Sequence, residues 1–135
     1  MVEIAWLPSF ETGLPEIDND HRKLVNSIRH IEVALKGGDF KKCATLFADF
    51  MQQAKDHFKR EEAFLISIDF PRLESHRSAH QRLLDMADKT LATVSEDLDR
   101  DEATKCLEET IYFLLEDVIR ADSDFKSYAQ EHGLI

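Results

Sequence analysis

The sequence predicts an all-α chain folded as an up-down-up-down four-helix bundle with an extended N-terminal arm. Three observations predict it. Four stretches carry inward-facing positions at alternating three- and four-residue intervals, the spacing of one face of an α-helix. Only four Gly and three Pro occur in 135 residues, which disfavours a turn-rich β architecture. The stretches are separated by short breaks, which join antiparallel neighbours. A chain of this length forms one domain, residues 1–135, with a single core.

Residues 1–16 read as the arm, because Trp6, Pro8, Phe10, Gly13 and Pro15 interrupt any helical period. The first helix, roughly 18–36, carries His21, Leu24, Ile28, Ile31 and Leu35 on one stripe and ends at Gly37-Gly38. Asp18 or Asn19 is suited to cap its start. The second, roughly 40–65, carries Cys43, Phe47, Phe50, Ala54, His57, Glu61 and Phe64. The run SIDFPRLES breaks it, with Pro71 as the punctuation. The third, roughly 73–94, carries His76, His80, Leu83 or Leu84, Ala87, Leu91 and Val94. The acidic run SEDLDRDE turns the chain. The fourth helix, roughly 103–131, carries Leu107, Phe113, Leu114, Val118 and Ile119 and closes near Gly133.

Seventeen basic against 27 acidic residues give a net charge of −10, which argues against nucleic acid or an anionic membrane as partner. No apolar run reaches spanning length, and MVEIAWLPSFETG has neither the basic start nor the apolar block of an export signal. The expected location is the cytoplasm. Cys43 and Cys106 sit in helical apolar patterns without metal spacing and are expected as buried free thiols.

The histidines break the apolar logic. His21, His57, His76 and His80, with Glu61, fall on the inward stripes of three helices. An unpaired buried polar group costs roughly 1–3 kcal/mol, and a bare charge costs more. A lone core histidine is usually a satisfied one, but four with a carboxylate call for a shared solution, and a metal provides it. On a helix, residues i and i+4 lie ~40° apart around the axis, so both can reach one site. Imidazole and carboxylate without cysteine suit iron, manganese, zinc or cobalt, and five donors point to two ions rather than one tetrahedral zinc. None of the six histidines has Glu three residues before it, so the Glu-x2-His pattern of ferritin-like di-iron bundles is absent. His30 and His132 read as solvent-facing.

These residues, in this order, resemble the hemerythrin family, above all its single-domain bacterial members. The resemblance runs from AWLPSFETGLPEID through DHRKL, HFKREEAFL, HRSAH and FLLEDVIRADSDF, nearly the whole chain. It implies two non-haem Fe ions joined by an oxo or hydroxo bridge, with O2 bound at one of them; manganese and zinc also suit the donors. By position, one iron would take His21 and His57. The other would take His76, His80 and a ligand from the fourth helix. Glu61 and Asp122 would bridge. Leu24, Phe58 and Leu114 would line the O2 pocket, with Phe113 where the family usually has Trp.

The fourth helix departs from the pattern. Asp117 stands where the family's fifth histidine belongs, so the expected set is four His and three carboxylates: Glu61, Asp117 and Asp122. Asp117 and Asp122 lie ~140° apart on an ideal helix and are expected to straddle the site or to share a π-type widening. Exchanging neutral imidazole for carboxylate removes one positive charge from the cluster, which favours the oxidised metals. The implied function is O2 binding for storage, delivery or sensing, with another small diatomic or anion as an alternative ligand and a redox or signalling protein as partner. The alternative is a di-iron enzyme that activates O2 or reduces peroxide or NO, a reading that rests on Asp117.

Overall fold

The computed structural model describes residues 12–96 and 100–133, excepting the side chains of 94–96, 114 and 117–125. Four helices make up nearly all of it: α1 (Pro15–Lys36), α2 (Phe40–Ser67), α3 (Leu73–Glu96) and α4 (Arg100–Glu131). In chain order each packs on the next, and α1 also meets α4, which closes an all-α bundle. No described helix is long and apolar enough to cross a membrane.

Local chemistry sets the helix ends. Leu14, extended before a proline, precedes α1, and Pro15 takes the first turn, where its missing N–H costs nothing. Asp18 therefore lies inside the helix rather than at its cap. Its carboxylate reaches back and accepts from the Thr12 amide at 2.7 Å, the Thr12 hydroxyl at 2.8 Å and the Gly13 amide at 3.1 Å. This fastens the described end of the arm; residues 1–11, including Trp6, Pro8 and Phe10, lie outside the described residues. Gly38, at φ +73°, supplies the left-handed turn after α1, and Asp39 caps α2 by accepting from the Lys42 amide at 3.1 Å. The α2–α3 turn bends through Asp69 at φ 52°, and Tyr128 of α4 donates to Ile68 O at 3.2 Å, which pins that turn.

Among the described side chains, most predicted stripe positions are buried or half-buried, with Phe113 the exception; those of Val94, Leu114, Val118 and Ile119 lie outside the described residues. One apolar cluster joins Ile28 and Ile31 of α1, Phe47 and Phe50 of α2, Ala87 of α3, and Ala103, Leu107 and Ile111 of α4. A smaller one, Ile17, Leu65 and Phe70, closes the opposite end. The histidines lie between the two. Cys43 is buried as expected, but Cys106 is only partly covered; both are free. His30 and His132 are exposed.

Candidate metal centre

Helical spacing and the register of three helices bring His21, His57, Glu61, His76 and His80 together, each no more than 4% exposed. Glu61 is the hub. Its Oε2 lies 3.0 Å from His57 Nε2, while Oε1 lies 3.3 Å from His80 Nε2 and 3.5 Å from His76 Nδ1. His21 Nε2 joins the first side, 3.1 Å from His57 Nε2. One carboxylate therefore faces two pairs of imidazoles, one pair with each oxygen. Burial pushes the Glu61 carboxyl up, but in the metal-free centre the close-set imidazoles of His57, His76 and His80, wherever they carry the intervening protons, outweigh it and hold the group well below the ordinary carboxylate range.

The donor set fits a cation on each side. His57 Nδ1 stands 3.2 Å from Asp20 Oδ2, and an ionised carboxylate can only accept, so the imidazole proton sits there. Neutral His57 then meets Glu61 Oε2 and His21 Nε2 with a lone pair. Such a trio repels itself unless protons or a positive ion lie among it. Two ligand atoms ~2.1 Å from one ion and at right angles stand ~3.0 Å apart, close to the observed 3.0 and 3.1 Å. His21, His57 and Glu61 form one such group and Glu61, His76 and His80 the other, the ligand atoms of each within 4.8 Å of one another. Two groups that share a carboxylate fit a dinuclear metal site.

Beside His21 lies a small apolar cavity of about 10 Å³, walled by Leu24, Phe50, Ala54, Phe58 and Leu115 among others. Phe58 also stacks flat on His80, with centroids 3.9 Å apart at 8°. Leu24 and Phe58, two of the residues expected around a ligand, line this cavity. Phe113 does not. It is 44% exposed and packs edge-on against Tyr112, because two residues along a helix (~200°) carry it to the face opposite buried Ile111. The side chains of Leu114, Asp117 and Asp122 lie outside the described residues. The α4 backbone is α-helical throughout 100–131, with no π turn at 117–122.

Four residues around the centre escaped the sequence reading: Asp20, Arg60, Glu62 and Arg77. Arg60 donates to both oxygens of Asp20 at 2.8 Å. Burial pushes the Asp20 carboxyl up, and the bonds from Arg60 and His57 bring it below its ordinary value. Glu62 Oε2 lies 3.3 Å from His80 Nδ1, with Arg77 Nε 3.3 Å from its other oxygen. Each acid is the chain neighbour of an inward-facing donor, His21 or Glu61, but adjacency alone did not mark it.

Comparison with known proteins agrees with this geometry. The model of the hemerythrin HHE cation binding domain matches residues 12–127. The chain belongs to the hemerythrin family. It is 30% identical over 90 residues to a bacteriohemerythrin of Clostridium acetobutylicum, covering 59% of this chain and 65% of that protein. To a bacteriohemerythrin of Pseudomonas aeruginosa it is 25% identical over 81 residues, covering 60% and 53%. To a myohemerythrin of Theromyzon tessulatum it is 25% identical over 92 residues, covering 68% and 72%. The chain thus spans between about half and two thirds of the bacteriohemerythrins it matches. Iron in pairs is the metal of hemerythrins, and the two His/Glu groups that meet at Glu61 suit it.

Proposed function

We propose that the chain is a non-haem di-iron protein that binds O2 reversibly, for storage, delivery or sensing. The observation that carries this reading is Glu61, fully buried and presenting one oxygen to each pair of imidazoles, with a small apolar cavity beside His21. In this reading His21 and His57 would hold one iron, and His76, His80 and Asp117 the other, with Glu61 and Asp122 as the carboxylates they would share. The iron pair, when bound, supplies the electrons that hold O2. The protein supplies a dry, apolar berth lined by Leu24 and Phe58, with Leu114 expected to complete it. It also supplies three helices that fix the donors before metal arrives.

The test is anaerobic reconstitution of the metal-free chain with ferrous iron, followed by an iron count, admission of air and a near-ultraviolet and visible spectrum. Two irons per chain and an absorption band that appears in air and disappears under vacuum support the reading. Fewer than one iron per chain overturns it.

Asp117 favours a second reading, in which the carboxylate-rich site activates O2 or reduces peroxide or NO. Rapid conversion to a stable ferric species, with turnover when peroxide and a reductant are supplied, would decide for it.

A further inference from the structure

Among the described side chains, a carboxylate holds His57 and His80 from behind, and each carboxylate is gripped by an arginine. The chain Arg60–Asp20–His57 serves the side of the centre that holds His21 and His57, and the chain Arg77–Glu62–His80 serves the other. We propose that Asp20 and Glu62 are positioning residues for the two metals. They keep the protons of His57 and His80 on Nδ1, aim the bare Nε2 atoms at the centre, and give the two metal positions unequal dependence on their outer support. The inference rests on the dinuclear reading above.

A neutral imidazole has one N–H, and an ionised carboxylate facing Nδ1 fixes it there, which leaves Nε2 free for a metal. The same contact stops the ring from turning and raises the basicity of the donor nitrogen. Nε2 is indeed the atom that each of these rings turns toward Glu61, at 3.0 Å for His57 and 3.3 Å for His80. The two supports are not equally firm. The Asp20 side chain is 7% exposed and takes both Arg60 bonds at 2.8 Å. The Glu62 side chain is 24% exposed, and Arg77 divides itself between Glu62 at 3.3 Å and Glu74 at 2.9 Å. Water therefore screens and competes at Glu62 more than at Asp20.

The experiment titrates Co2+, a redox-silent probe, into the metal-free chain against a chromophoric chelator, with the cobalt spectrum and the metal-free melting temperature read in parallel. The unmodified chain should bind two Co2+. Asp20→Asn should weaken one of them about 10–100-fold and leave the other. Glu62→Gln should weaken the other ion, by a smaller factor. Arg60→Gln, a change at a side chain 44% exposed that leaves Asp20 in place, should act in the same direction as Asp20→Asn but less. It keeps the test valid if Asp20→Asn does not fold.

Unchanged cobalt affinities in folded variants would overturn the inference, as would a loss confined to the metal-free melt. So would both variants weakening the same ion. Each of these leaves the dinuclear reading standing. An unmodified chain that binds no Co2+ would sink both.

Discussion

Phe47 and Glu61 lie on the same helix about four turns apart, and neither is exposed. Phe47 belongs to the large apolar cluster, where burial itself stabilises the fold. Around Glu61 the neighbours are imidazoles, and burial costs free energy that only protons or metal can offset. The bundle thus joins a region that folds the chain to a region that the folded chain must hold in place. The same side-chain period runs through both, so the two regions differ in residue type rather than in geometry.

Phe47→Ala should show the sharpest contrast. Removing a fully buried ring costs about 3–5 kcal/mol. Urea unfolding of the metal-free protein should register that loss, while the folded fraction keeps its metal count. Glu61→Gln should do the reverse, with metal binding lost in a chain that still folds. If Phe47→Ala releases the metal from folded protein, the two regions are not separable.

Metal loading should come next in size. A ligand that binds only the folded state at a free concentration 100 times its Kd stabilises by about 2.7 kcal/mol. Wild type and Phe47→Ala should gain comparably on loading and lose the gain to a chelator. Glu61→Gln should gain little. Melting temperatures with and without metal check all three.

The same contrast explains what the sequence disclosed. The stripes were legible because the period that buries Ile31 and Phe47 also buries His21 and Glu61. A polar residue on such a stripe stands out. Asp20 and Glu62 were not legible, since they sit beside the stripe and acquire meaning only when a neighbouring helix delivers an imidazole, 37 and 18 residues away respectively. The start of α1 was misplaced for a related reason. Asp18 has the look of a cap, yet Pro15 begins the helix and Asp18 fastens the arm instead. Phe113 shows the opposite failure, in which an aromatic residue near the stripe turned outward because Ile111 already filled the inner face.

Asp117→His should have a more modest effect, on rate rather than stability. Restoring a neutral donor adds one positive charge to the cluster and disfavours the oxidised metals. Loss of the ferrous state in air should slow several-fold, followed by its spectrum over time. An unchanged rate would remove the charge argument drawn from Asp117.

The smallest effect belongs to the apolar region, at Cys43. Burial, and then the nearby Asp39 carboxylate, raise its thiol above the ordinary 9.0. In the unfolded chain the thiol ionises near that ordinary value, whereas in the folded chain it stays protonated to higher pH. Its contribution to stability is therefore whole below pH 9.0 and is lost as the pH climbs through the folded value. Cys43→Ala should flatten the alkaline limb of the stability curve relative to wild type, whatever its effect at neutral pH. Native iodoacetamide labelling offers a second check. Partly covered Cys106 should react first and Cys43 only on the timescale of opening, because the thiolate is the nucleophile and the core around Phe47 excludes it. Equal labelling rates would mean that the apolar region opens as readily as the surface.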